Sequence, residues 1–419
     1  LRNSRFPEML EGDTRAMLAS CQLGERRLQE IFRRFGTDVV LTAFREQLSR
    51  SEDVARRVFL SQVAPGKHTF RGFIDGDGRS NRTYKVQLDL IRAGDWVIAD
   101  FRESDDQAEG PINFIASLGV VQLMFARFVM AAEPSLPLNE GTLRVIDELR
   151  TRPGSILAPQ FPAAVGVRAH AKQKTNSTVL GALATATGGQ TPASSATYVL
   201  VYLRARDPKT GAAVLYVDGI GVGTGGRPFA NGLDVIYSNN QKNYPAEFVD
   251  SSFPLRLERY AVHVDSGGPG KHRGGCGCVR DIRILSDGAT LATRMDNARF
   301  PAWGVNGGRA GRRGRITVNP GSSDEREIES LRDGNKLREG DLLRVETAGG
   351  GGWGDPLERD PWLVASDVAN GFVSEKAALA DYGLVIDPVS LAIDEAATAA
   401  ERRRQARPWQ LFDLGAAEA

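Results

Sequence analysis

The sequence predicts an α+β fold: a β-rich mixed core with glycine-rich loops, flanked by N-terminal and C-terminal helices. Three observations predict it. Apolar residues recur at helical spacing near both ends of the chain, and apolar and polar residues alternate in short central runs. Glycine, 46 of 419 residues, gathers into dense clusters between those runs. With 41% hydrophobic and 25% charged residues, the composition is that of a globular chain able to bury a large core.

Gly12-Asp13 caps a predicted helix running to about Phe35, where Gly36 ends it. Its Met17, Leu18, Cys21, Leu28, Ile31, Phe32 and Phe35 form one apolar face, with Arg26, Arg27, Arg33 and Arg34 on the other side. A second helix, Thr37 to Phe59, is expected to break near Ser51. Pro65-Gly66 then switches the pattern to strands: Tyr84, Val86, Leu88 and Leu90 alternate with polar residues after an Asp75-Gly76-Asp77-Gly78 turn. That run is no calcium loop, because Arg79 holds the third ligand position and no glutamate closes the loop. Trp96 to Phe101 is a further strand, and Gly110-Pro111-Ile112-Asn113 a turn before the apolar run Phe114 to Ala132. Gln122 and Arg127 make that run a buried helix rather than a membrane span.

Pro153, Pro159 and Pro162 predict irregular chain, followed by a helix from Gln173 to Thr187 whose Gly181, Ala182, Ala184 and Ala186 permit close approach. Strands at Tyr198–Leu203 and Val214–Val217 flank the Asp207–Gly211 turn. Gly219 to Pro228 is rich in glycine but is no nucleotide loop, since neither Gly-Lys-Ser/Thr nor a following helix is present. Val279 to Leu285, Ile316–Val318 and Leu342–Val345 continue the β-rich part. Asp360-Pro361 starts one helix, Ser374 caps another that Gly383 ends, and an alanine-rich helix carries Arg402-Arg403-Arg404. The tail after Pro408 is expected to be mobile.

Totals exclude some functions. Lys plus Arg is 53 against 52 Asp plus Glu, a net charge of +1, so no global field recruits nucleic acid or a membrane. Three cysteines are too few for a disulfide framework and suit a reducing cytoplasm. None of the four histidines, His68, His170, His263 and His272, has a second ligand at helical metal-binding spacing, and Cys276-Gly277-Cys278 lacks a second pair. No Gly-x-Ser-x-Gly elbow is present.

The best candidate for chemistry is Asp265 to Cys278. Glycine fills six of the twelve positions from Gly267 to Cys278, around Lys271, His272 and Arg273. Successive amides in such a loop can cradle an anion while cationic side chains hold it; tight-turn glycines are the alternative reading.

The run Asp265-Ser266-Gly267-Gly268-Pro269-Gly270-Lys271-His272-Arg273-Gly274-Gly275 resembles a signature of the hydantoinase B/oxoprolinase family. The resemblance extends, in order, through Asn3, Pro7 and Gly12-Asp13; Asp100-Phe101, Gln107 and Gly110-Pro111-Ile112-Asn113; Pro137, Asn139 and Gly141; Gly225-Gly226-Arg227-Pro228, Gly232, Asn239 and Pro245-x-Glu247; and Gly350 to Pro356. It implies a subunit that works with an ATP-hydrolysing, hydantoinase A-like partner. There a cyclic amide or ketone is activated by phosphorylation, then hydrolysed (hydantoin or 5-oxoproline type) or carboxylated (acetone or acetophenone type). A noncatalytic assembly subunit is the reading from another class.

ATP and Mg are expected on the partner. A divalent metal is expected in an N-terminal half that this chain lacks and that a companion chain or segment supplies, with none held here. Leu1 to Pro7 reads as the interior of a longer polypeptide. The implied division is 1–62 as a helical continuation of that half, 63–358 as core and 359–419 as a helical end. Expected substrate- or anion-binding residues are Asp265, Ser266, Gly267, Gly268, Lys271, His272, Arg273, Arg227, Asn239 and His170. Two departures stand out: Arg102-Glu103-Ser104 replaces the family's Thr-Gly-Thr, and Arg168-Ala169-His170-Ala171 replaces Asn-x-Glu-Thr.

Overall fold

A computed structural model describes residues 3, 7–80, 82–237, 242–387 and 389–415. The chain divides into two compact units, residues 1–60 with 125–145, and residues 61–124 with 146–419.

The first unit is helical. Helix α1 spans Pro7–Phe35, starting before the expected cap, and α2 spans Thr37–Gln62 without a break at Ser51. Ser51 is buried, and its hydroxyl accepts the Asn139 side-chain amide at 2.9 Å, so the polar position becomes a contact rather than a helix end. Phe59 of α2 meets Phe125 and Phe128 edge to face at 6.1 and 6.3 Å.

The second unit opens with β1 (Gly66–Ile74), β2 (Tyr84–Ala93) and β3 (Trp96–Asp100), joined antiparallel. Helix α3 (Leu118–Ala132) links the two units in sequence, and α4 (Glu140–Leu143), capped by Asn139, belongs to the first. Strand β4 (Glu148–Arg150) joins β3 in parallel and completes a four-stranded sheet. Helix α5 (Ala169–Thr187) lies on β1 and β2. Gly181 faces the Phe70 ring so closely that no Cβ would fit, which is how the small residues of α5 are used. No helix among the described residues is long and apolar enough to cross a membrane.

Next come β5 (Val199–Arg206), β6 (Ala213–Ile220), α6 (Ala246–Ser252), β7 (Leu255–Val262), β8 (Cys278–Ile284) and β9 (Ala289–Arg294). They are followed by β10 (Gly304–Val305), β11 (Arg315–Val318), β12 (Arg326–Glu327), β13 (Leu331–Leu337) and β14 (Leu342–Glu346). A sheet in the order β12-β11-β14-β8-β7 and another in the order β13-β9-β5-β6 share one core. Ile282, Ile316 and Val345 of the first sheet and Val201, Leu203 and Leu291 of the second build it.

Helices α7 (Pro361–Ala369), α8 (Glu375–Tyr382) and α9 (Glu395–Gln405) close the chain. The caps act as read: Asp360 accepts from Trp362 N, Ser374 from Ala377 N, and Gly383 ends α8 at φ 60°. The tail differs from the expectation. Phe412–Asp413 forms β15, paired with β10, because the Phe412 ring packs at a tilt against Phe70 at 4.9 Å and edge to face with Trp303 at 5.5 Å.

Candidate functional site

Four glycine-rich segments, around 221–226, 267–277, 304–311 and 349–354, interleave backbone to backbone. A Cβ on Gly223 would overlap the Gly275 carbonyl, one on Gly275 the Leu233 carbonyl, and one on Gly350 the Thr224 carbonyl. None of these three glycines has a positive φ. They are glycine because another main chain occupies the space a side chain would need.

That geometry corrects the picture of the 265–278 loop as an open amide cradle. The Gly268 amide donates to Gly350 O, Lys271 to Gly354 O, His272 to Trp353 O, Gly274 to Gly268 O and Gly275 to Thr224 O. Arg273 N donates to the Asn231 side chain and Cys276 N to Asp234. These donors are consumed inside the protein.

Side chains of the loop divide into two groups. Asp265, at φ 63°, accepts from Ser374 N at 2.6 Å and ties the loop to the start of α8. Ser266 is buried; its hydroxyl donates to His263 O and accepts from Gly277 N. Gly267 and Gly268 lie against the carbonyls of Gly274 and Arg309. Arg273 is not free for a ligand: only 2% exposed, it pairs with Asp234 at 2.8 Å and Asp367 at 3.5 Å and lies over the Phe372 ring. Cys276 and Cys278 are buried too, and burial pushes the Cys278 thiol up to about 11.

Lys271 and His272 form the second group, and Arg227, from outside the loop, acts on His272. Lys271 is exposed, with Nζ 3.3 Å from Glu358. Half-buried His272 has its ring 5.8 Å from that of Trp353. Burial, and then the charges of Arg359, Lys271 and Arg227, hold the imidazole below its ordinary pKa. Arg227 lies over Phe229 and donates from Nε and Nη2 to Asn231 O. The Arg227 and Lys271 cations, with the uncharged His272 imidazole, make a rim on one side of the glycine knot suited to an anionic ligand. Asn239 lies outside the described residues.

His170 belongs elsewhere. It is buried at the start of α5, one turn before Lys174, and neither ring nitrogen has a hydrogen-bond partner among the described residues. Lys174 Nζ lies 3.1 Å from Asp296, with side-chain exposures of 8% and 0%. Burial pushes Asp296 up, but the Lys174 ammonium, with His170 and hydrogen bonds, holds it below the usual carboxylate range. Asp75 accepts the amides of Ala298, Arg299 and Phe300, and its own amide donates to Asp296. Burial and then the Asp296 charge push Asp75 up.

The Asp-Gly-Asp-Gly run is therefore more than a hairpin turn. Asp77 accepts from Arg79 N, Ser80 N, Tyr84 Oη and Gly110 N and so fixes the Gly110–Asn113 turn. Asp75 also borders a cavity of about 310 Å³ lined by Met295, Arg299, Arg315 and Leu331. Lys174 and Asp296 escaped the sequence reading; the four-residue spacing of His170 and Lys174 was the one available signal. A second such group is Arg280, buried against Asp218 at 3.1 Å, with Tyr216 Oη donating to the same carboxylate. Among the described residues no three His, Cys, Asp or Glu side chains converge as metal ligands, so no chemical step is assigned to a metal in this chain.

Interleaved glycine loops, buried ion pairs and two sheets on one core define an α+β chain with one extensive core. A profile of the hydantoinase B/oxoprolinase family matches residues 1–356, and the chain belongs to that family. It is 27% identical over 398 residues to the B component of a putative D-/L-hydantoinase of Pseudomonas sp. (strain NS671), covering 92% of this chain and 66% of that protein. It thus spans about two thirds of that relative's length. The fold is similar to the ATP-dependent caprolactamase from Pseudomonas jessenii (TM-score 0.76, 24% identity, 96% of this chain and 70% of that chain). It is also similar to an acetone carboxylase in its nucleotide-free form (TM-score 0.72, 18% identity, 94% and 60%).

Proposed function

We propose that the chain is a subunit of a cytoplasmic, ATP-dependent heteromeric hydrolase that opens a cyclic amide of the hydantoin or 5-oxoproline type. The observation that carries this reading is the family match over residues 1–356, together with a hydantoinase B component aligned along 92% of the chain. The chemistry is coherent with a divided enzyme. A ring amide carbonyl is a poor electrophile at neutral pH, and transfer of a phosphoryl group to its oxygen creates a leaving group. The partner, a hydantoinase A-like subunit, supplies ATP hydrolysis with Mg; a companion chain or segment supplies any divalent metal. On this chain the Arg227 and Lys271 cations hold the phosphorylated or carboxylate anion, with the neutral His272 imidazole as a hydrogen-bond donor, and preorganised cations in a partly dry rim stabilise negative charge as it develops.

Reconstitution tests it. The chain is combined with an ATP-hydrolysing partner and assayed for ATP-dependent turnover of hydantoins, 5-oxoproline and caprolactam, and of ketones with bicarbonate. Ring opening is the expected result. Turnover of ketones alone would replace hydrolysis by carboxylation. A complex whose activity is unchanged when this chain is left out would make the chain an assembly subunit.

A further inference from the structure

Helix α1 is amphipathic, yet none of its described residues is buried. Leu10, Met17, Leu28 and Phe35 are 41%, 62%, 45% and 53% exposed. They lie on a seam through positions 10, 14, 17, 21, 24, 28, 31 and 35, whose steps alternate between four and three residues. That is the repeat by which one helix packs along another. A helix of 29 residues with such a stripe in water needs a cover.

We propose that a second copy of this chain covers it, with the two α1 helices antiparallel. Charge selects both occupant and direction. Residues 7–20 carry Glu8, Glu11 and Asp13 against Arg15, net −2; residues 21–35 carry Arg26, Arg27, Arg33 and Arg34 against Glu25 and Glu30, net +2. Antiparallel copies lay the acidic half of one on the basic half of the other, whereas parallel copies oppose like charge. The same alignment completes the seam. Leu10 meets Phe35 of the second copy, Met17 meets Leu28, and Cys21 meets Gly24. Asp13 and Arg34 then face each other on the flank, twice by symmetry, where such charge pairs set orientation. One contact surface thus serves both partners, as a two-fold interface requires.

Small residues at the centre bring the axes close. The two-fold axis falls between Cys21 and Gly24, so the two Cys21 Cα atoms are about 6 Å apart for a rise of ~1.5 Å per residue and axes ~8–9 Å apart. That lies within the ~4.4–6.8 Å reach of a disulfide. Cys21 is exposed, whereas Cys276 and Cys278 are buried.

Sedimentation equilibrium on the 419-residue chain reads the association directly, with circular dichroism confirming that each variant is folded. The chain is expected to dimerise and Leu28→Asp to be monomeric. Asp13→Arg and Arg34→Asp should each raise the dissociation constant about tenfold, and the double swap, which restores opposite charges only in a self-pair, should bring it back. Mild oxidation should link the dimer, and Cys21→Ser should prevent the link. A chain monomeric at every concentration, a double swap as weak as either single change, or an oxidised dimer without a Cys21 bond would overturn the proposal.

Discussion

Replacing Lys174 by Met tests whether the buried group beneath the β1–β2 sheet is held by one ion pair. Lys174 Nζ lies 3.1 Å from Asp296, and both side chains are out of water. Without the ammonium, Asp296 keeps the Asp75 amide at 2.9 Å and the Thr197 hydroxyl at 3.4 Å. One amide and one long hydroxyl contact do not replace a charge, and breaking a buried pair from one side costs about 3–5 kcal/mol. Asp296→Asn in the same chain removes the orphaned charge and leaves an acceptor for Asp75 N. The double variant should therefore be about 1–3 kcal/mol more stable than the sum of the two single changes implies. Urea titration reads this as a shift of midpoint at constant slope.

The pH dependence adds an independent check. Asp296 is held below the ordinary carboxylate value in the folded parent, so its contribution is present above that value and lost as pH falls through the lower, folded one. In Lys174→Met burial dominates and the folded pKa rises. The carboxyl then takes up a proton on acidification, and the deficit relative to the parent should shrink between about pH 7 and pH 4. A deficit independent of pH, or single costs that simply add, would refute the reasoning.

Two further predictions concern the glycine knot and its rim. Gly275→Ala should lose about 4 kcal/mol or more, because its methyl meets the Leu233 carbonyl and neither main chain can yield. Gly119→Ala, in α3 with no atom within 4 Å of the new Cβ, should be neutral or slightly stabilising; thermal unfolding of both variants checks the contrast. Lys271→Met should leave stability within about 0.5 kcal/mol and weaken anion binding in the assembled enzyme by roughly 1.5–3 kcal/mol, read as kcat/KM. Arg273→Met should instead lower the unfolding midpoint, since Asp234 and Asp367 lose their shared cation. Unchanged kinetics for Lys271→Met would show that the rim holds no anion.

Local signals carried the elements whose cause is local. Ser374 and Gly383 bound α8 from within its own sequence, and the alternation at Tyr84–Leu90 needed only one buried face to become β2. Strand β7 was less legible, because most of its residues are exposed or half-buried and its pairing with β8 shifts register after Leu257. Ser51 read as a break because its partner, Asn139, lies 88 residues away.

The candidate site divides in the same way. By itself the sequence determined the α+β class, the family and the concentration of glycine and cationic residues at 265–278, all carried by composition and by ordered motifs. Only the tertiary structure decided what each residue does there. It spent the loop amides on carbonyls of other segments, sank Arg273 between Asp234 and Asp367, and left Arg227, Lys271 and His272 at the rim. It also joined Asp75, Lys174 and Asp296 across more than two hundred residues. The physical reason is that glycine spacing is the same for a ligand cradle and for main chains in contact. Which of the two forms depends on whether another backbone fills the gap, and that backbone comes from distant sequence.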